Sequence, residues 1–301
     1  MTQNNFNSHL KILINRVLPD GGFAQQPGSI YCPDATAWAV MALDVAGEHT
    51  GLINPARSRL AAGQGPDGRV TTSKEHPDSF WPTSPAVLAW QGSIPHQEAM
   101  QKAVSFLLQS AGSVWEKRAD SIFAHDPSVP GWSWNDNAFS WVEPTSLGIL
   151  ALASAGQGEH ARVDDGVRLL MDRQLPRGGW NYGNTIVYDQ ELLPQPDNTG
   201  IALTALASRV DRKDVQSSLN YLHDKVQNLR SPRSLSWAII GLGAWGQRPA
   251  SAPDMILESL DLQDRFGNYD TTLDCLQDFQ EEYFRNFQIA LIFVILNNIM
   301  N

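Results

Sequence analysis

Hydrophobic and polar positions along the chain sort into two alternating kinds of segment. One kind is rich in Ala, Leu, Val and Ile nearly all round a helical period, as a buried helix requires; the other keeps its apolar residues to one stripe, as a surface helix does. The apolar segments follow Pro33, Pro82, Pro144, Pro196 and Pro232, and a sixth, DFQEEYFRNFQIALIFVIL, follows Cys275. The amphipathic ones span residues 5–17, 54–62, 97–110, 160–173, 213–227 and 253–263. The alternation predicts inner helices backed by outer ones, in about six hairpins spaced roughly 36 to 62 residues apart, within the range of helical repeat units. An open solenoid of such helices would expose a large apolar concave face, so the pattern favours closure. The expected fold is all-α: a single (α/α)6 barrel of inner and outer layers, with residues 1–301 as one domain.

Local punctuation supports these boundaries. Proline is tolerated in a first helical turn, Ser, Thr, Asp or Asn is expected to cap the unpaired N–H groups, and glycine ends the helix. A second recurring element precedes the inner helices: Pro19-Asp20-Gly21-Gly22-Phe23, Gly65-Pro66-Asp67-Gly68-Arg69, Pro176-Arg177-Gly178-Gly179-Trp180 and Asp264-Arg265-Phe266-Gly267-Asn268-Tyr269. Glycines there permit a tight turn with positive φ, after which the aromatic can tuck back onto the helix it follows.

Leu169-Leu170-Met171-Asp172-Arg173-Gln174-Leu175-Pro176-Arg177-Gly178-Gly179-Trp180 resembles the QW motif of squalene-hopene and oxidosqualene cyclases. The Gly-Gly-aromatic turns are similar to those of protein prenyltransferase β subunits. The resemblance spans nearly the whole chain as repeats and implies the αα-toroid of terpenoid cyclases, with Gln174, Gly179 and Trp180 bracing neighbouring repeats. Class II terpene cyclases carry DxDD-T-A at an inner-helix start, where the middle Asp protonates an alkene or epoxide. Aligned on Thr36-Ala37, this chain keeps Asp34 and replaces the flanking acids by Cys32 and Ala35. Squalene-type cyclases use two helical barrels, whereas 301 residues suffice for one; a smaller pocket, a homo-oligomer or a partner chain follows.

In a closed ring the inner helices run parallel, so their positive N-terminal ends gather on one side and favour carboxylates there. That places Asp34, Glu143 and Asp197 as candidate catalytic acids, each of which could instead cap its helix. Tyr31, Trp38, Trp81, Trp141 and Trp237 are candidate substrate contacts whose π faces can stabilise a carbocation, joined by Arg233. Ten Trp is consistent with an aromatic-lined cavity. Protein prenyltransferases bind zinc through Asp-x-Cys and a distant His; Cys32-Pro33-Asp34 reverses that order, Asp274-Cys275 offers no His beside it, and no metal or cofactor is expected.

Charge and composition narrow the remaining classes. A net charge of −10 disfavours nucleic acid, which is bound through clustered Lys and Arg. No run reaches the length of a membrane span, the N-terminus has no signal-peptide pattern, and two cysteines fit a reducing cytoplasm. The leading expectation is an enzyme that cyclises or isomerises an apolar isoprenoid by protonation from Asp34. A non-catalytic binding or scaffold protein that retains the toroid is the alternative, with metal-dependent prenyl transfer behind it.

Overall fold

The computed structural model describes residues 11, 13–25, 28–47 and 49–266. Within them the chain is mostly helical: α1 (Pro33–Ala46), α2 (Ile53–Ala62), α3 (Thr83–Ala89), α4 (Gln97–Gln109), α5 (Val142–Ser154), α6 (Ala161–Asp172), α7 (Pro196–Leu206), α8 (Gln216–Val226), α9 (Pro232–Ala244) and α10 (Ala252–Phe266). The expected helix at 5–17 falls largely outside the described residues, and the expected inner helix after Cys275 falls wholly outside them.

Odd-numbered helices form the inner layer and even-numbered ones the outer. Each outer helix packs on the inner helix before it, and the inner helices neighbour one another in the order α1, α3, α5, α7, α9. Nearly every side chain of α1 from Pro33 to Leu43 and of α5 from Val142 to Leu152 is buried. Their partners α2 and α6 bury only a stripe, Ile53, Ala56, Arg57 and Leu60 in one and Arg162, Val163, Gly166, Leu169 and Leu170 in the other, as the amphipathic pattern demands. The row of inner helices curves far enough that Trp38 of α1 meets Trp237 of α9 edge to face, ring centroids 6.4 Å apart.

A buried threonine anchors each of the first four repeats. Thr36, Thr83, Thr145 and Thr199, each 0% exposed, lie in the first turn of α1, α3, α5 and α7. Each hydroxyl oxygen accepts the backbone N–H of the residue closing the preceding turn: Phe23 at 2.9 Å, Val70 at 2.9 Å, Trp132 at 3.0 Å and Trp180 at 2.9 Å. The bond satisfies a buried donor that no helix or sheet could pair, and it fixes the turn aromatic against the inner layer. Neighbouring repeats are tied by glutamine: the Gln174 side-chain amide donates to the Ser218 hydroxyl of α8 at 2.7 Å, and that of Gln64 to the Ala99 carbonyl of α4 at 2.9 Å. Gly178, with φ of 95°, lies so close to the backbone of α8 that a β-carbon there would stand 2.5 Å from the Ser217 carbonyl carbon; only glycine permits both.

Two expectations need correction. No side chain caps α1, α5, α7 or α9, whose N-cap residues are Cys32, Trp141, Gln195 and Ser231; Asp34, Glu143 and Asp197 sit inside the first turn, Asp34 bonded within α1 and the other two paired across the layer. The fold is also not purely helical. The connection from α6 to α7 carries a two-stranded hairpin, β1 (Ile186–Val187) and β2 (Gln190–Glu191). Its two-residue loop, Tyr188 and Asp189, has positive φ at both positions (48° and 61°), the conformation whose twist matches paired strands. Phe123 of the α4–α5 connection bridges to Val187, which ties the two long connections together at the N-terminal end of the inner helices. Among the described residues no helix is long and apolar enough to cross a membrane.

Candidate functional site

The threonine anchors set a common register for the inner helices. The position two residues before each threonine, and its equivalent in α9 before Leu235, holds Asp34, Trp81, Glu143, Asp197 and Arg233 in turn. Four of these five form one electrostatic group. Arg233 donates through Nη2 to Glu143 Oε2 at 2.6 Å, and its Nε stands 3.4 Å from Asp197 Oδ2. Arg233 and Glu143 are 6% and 2% exposed, so this is a buried ion pair bridging α9 and α5, with α7 supplying the second carboxylate.

Asp34, 2% exposed, takes a different partner. Its Oδ1 accepts the indole N–H of Trp38, one turn along α1, at 3.1 Å. Burial, and next to it the negative charge of Glu143, push the Asp34 carboxyl well above the usual carboxylate range, against the smaller opposing pulls of the Trp38 hydrogen bond and Arg233. Burial also raises Glu143, with Arg233 opposing and Asp197 adding to the shift. Three carboxyls share one guanidinium in a buried space. Electrostatics then leaves the proton on the acid that lacks a direct ion pair, because burying an unpaired charge costs more than neutralising it. With Oδ1 accepting from Trp38, Oδ2 is the oxygen left to carry a proton when Asp34 is neutral.

Sequence reading overlooked three participants. Tyr182 follows the Gly178-Gly179-Trp180 turn and is 44% exposed; its phenol is raised first by burial, then by the Asp197 charge. Its carbonyl accepts the N–H of Val142 at the start of α5, 2.9 Å away. Asn198 donates to the Gln195 side chain at 2.7 Å, which packs both residues beside Asp197. The one signal in the chain was position: all three lie in or beside the turn that feeds α7. Exposure falls from Tyr182 through Asp197, with 19% of its side chain exposed, to the buried Glu143 and Asp34, so the group faces solvent on the side of the long connections.

The other expected residues are engaged elsewhere. Tyr31 packs over Gly22, with the Arg59 guanidinium 3.8 Å above its ring, at the outer turn. Trp81 meets Trp134 edge to face at 6.1 Å and lines a crevice of about 10 Å³ with Phe80, Trp132, Pro144 and Leu147. Trp141 is the N-cap of α5 and gives its N–H to the Trp132 carbonyl. Trp38 bonds Asp34 and meets Trp237 edge to face, and each indole is 3% exposed. A larger groove of about 650 Å³ lies on the outer surface, between exposed residues of α8 (Asn220, His223) and the α9–α10 connection (Gln247, Arg248). Among the described residues no three potential ligands are grouped to hold a metal; Asp274 and Cys275 lie outside them.

No protein-family model matches the chain, and no curated protein matches it by sequence. Solved structures match it in shape. The type II terpene cyclase MstE from Scytonema, in complex with geranylgeranyl dihydroxybenzoate, is similar over 98% of this chain and 97% of its own, with a TM-score of 0.62 at 15% identity. A protein from Actinoplanes matches over 98% of both chains, with a TM-score of 0.59 at 14% identity. An alpha-amylase from Clostridium perfringens matches over 95% of this chain and 97% of its own, with a TM-score of 0.55 at 10% identity. The chain therefore has a terpene-cyclase-like helical fold, one that different activities share.

Proposed function

We propose that the chain acts on an apolar, isoprenoid-like substrate by acid-initiated cyclisation or isomerisation, with Asp34 as the proton donor. The observation that carries this reading is the buried Asp34 carboxyl, raised well above its usual range while the neighbouring Glu143 is paired with Arg233. A carboxylic acid kept neutral by its surroundings can serve as a general acid. The fold shared with a terpene cyclase whose substrate is a geranylgeranyl compound supports the same reaction class.

In this reading Asp34 Oδ2 transfers its proton to a carbon of the substrate alkene. The alkene π electrons form the new C–H bond and leave a carbocation on the adjacent carbon. Attack by a second double bond closes a ring, and loss of a proton from a carbon beside the final cation restores an alkene, so the product is an isomer of the substrate. Trp38 serves twice: its N–H stabilises the carboxylate that Asp34 becomes, and together with Trp237 it supplies aromatic surface that can stabilise the developing cation. Glu143 and Asp197 add negative potential, and Arg233 keeps them from competing for the proton. Both flanking acids of the class II pattern are absent at Cys32 and Ala35; the Trp38 hydrogen bond and the Glu143–Arg233–Asp197 group take over the tuning of Asp34. The reading includes a closed six-hairpin barrel over residues 1–301 as one domain, supported by the curvature that brings Trp38 to Trp237.

A second reading, a non-catalytic binding or scaffold protein, is favoured by one observation. Trp38 and Trp237 fill the interior between α1 and α9 and are almost fully buried. Incubation with a panel of polyenes and polyprenyl diphosphates, with products analysed by mass spectrometry, separates the two. The enzyme reading expects isomeric products that disappear in Asp34→Asn while the melting temperature is retained. Equal turnover by Asp34→Asn, or none by the wild type, sinks it.

A further inference from the structure

The geometry points to the Trp38–Trp237 pair as the floor of the site, and to Trp237 as the residue that sets how much substrate chain can pass beyond Asp34. This rests on the reading above and adds a determinant of chain length and of which double bond is protonated.

Two layers can be traced down the inner helices. The first holds Asp34, Glu143, Asp197 and Arg233. The second lies four residues further along α1 and α9, one helical turn and about 6 Å deeper on the same helix face. In that second layer α1 and α9 place Trp38 and Trp237, whereas α5 and α7 carry the smaller Leu147 and Ile201 at the equivalent positions. The indoles meet at 6.4 Å with their planes at 84°, the edge-to-face arrangement that aromatic pairs favour, and close the interior immediately beneath the acids. Solvent reaches the group from the opposite side, past Tyr182 and Asp197.

A chain entering by that route meets the Asp34 proton and the floor within one helical turn of each other. Only its leading end can then be protonated; deeper insertion, which would bring an internal double bond to Asp34, is blocked by the indole edge. The two tryptophans differ in their relation to the acid. Trp38 is held by its hydrogen bond to Asp34, so changing it alters the acid as well. Trp237 stands opposite it on α9, and its replacement tests the floor without removing that hydrogen bond.

The test compares wild type, Trp237→Ala and Trp237→Leu with farnesol, geranylgeraniol and squalene, reading ligand-induced melting shifts and product structures. Trp237→Leu retains apolar contact should the alanine variant fold poorly. The expected result is a change in relative preference toward the longer chain of about tenfold or more, the scale on which pocket volume discriminates apolar groups, together with products protonated at an internal double bond. Binding by the wild type with unchanged order and products in both variants overturns the floor and leaves the functional reading intact. Binding by the variants alone upholds the indole pair as the barrier and overturns the enzyme reading. Binding by none of the three overturns both.

Discussion

Replacing Arg233 by Met tests the electrostatics of the site most directly, because it removes the guanidinium that bridges Glu143 and Asp197. Glu143 is 2% exposed and receives its hydrogen bond from Arg233 at 2.6 Å; without it a buried carboxylate loses its counter-charge. Breaking a buried pair by deleting one partner costs roughly 3–5 kcal/mol, which in a chain of this size corresponds to a melting temperature lower by roughly 5–8 °C at neutral pH. The variant can escape the penalty by protonating Glu143, so the loss is pH-dependent. Glu143 already has its folded value raised, and removal of Arg233 raises it further. A raised folded value means that the folded state binds the proton more tightly. The stability it contributes is therefore present below the unfolded Glu value of about 4.3 and is lost as pH rises through the folded value, by up to about 1.4 kcal/mol per pH unit. Thermal melts of wild type and Arg233→Met at pH 4.5, 6 and 7.5 should diverge as pH rises. Arg233→Met combined with Glu143→Gln should recover most of the loss, since glutamine needs no counter-charge. An equal deficit at every pH, with no recovery in the double variant, would refute the reasoning, because a packing defect has no proton to bind.

Asp34 predicts the same sign on its own. Its folded value is raised, so the wild type should lose stability as pH climbs from the unfolded Asp value of about 3.9 through the folded one, and Asp34→Asn should flatten that part of a melting-temperature profile. Turnover by the wild type should fall over the same interval, as the acid loses its proton; a rate that rises there would remove Asp34 from the donor role. Thr199→Val keeps the shape of the side chain but leaves the Trp180 N–H without its 2.9 Å acceptor, at a cost of about 1–3 kcal/mol, measurable by urea denaturation and mirrored by Thr145→Val. Gly200→Ala should cost about 3 kcal/mol or more, because its β-carbon would stand 2.2 Å from the Trp237 carbonyl oxygen; near-wild-type stability would show that α7 and α9 do not approach as closely as described.

Much of the layer architecture was legible in the chain. Trp38, Val40, Ala42 and Leu43 repeat on every side of α1, whereas α2 offers charges beside Ile53 and Leu60, and each helix reports its own burial through the residues it carries. The Gly178-Gly179-Trp180 turn announced itself as well, since adjacent glycines take positive φ without a steric cost and leave room for the backbone of α8. Less could be read where a role depends on a partner far along the chain. Asp34 read as a helix cap before it read as an acid; no side chain caps α1, and its carboxyl bonds Trp38 instead. Tyr182 carried no motif at all, and the hairpin at Tyr188 and Asp189 has turn residues that are not the Asn-Gly or Gly-Gly pairs that mark such loops.

Within the described residues the sequence by itself determined most of the helical segments, which of them are buried, and where the turns between them fall, because amphipathic period and glycine or proline punctuation act over a few residues. Tertiary structure alone decided which side chains meet. Arg233 reaches Glu143 across 90 positions of chain, and Trp38 meets Trp237 from the far end of the row. Those meetings depend on the curvature of the inner layer and the rotation of each helix about its axis. Curvature and rotation are set by backbone approaches such as Gly200 against Gly241 and by the threonine anchors. No single segment contains that information, which is why three dispersed acids and one arginine come together only after the helices have packed.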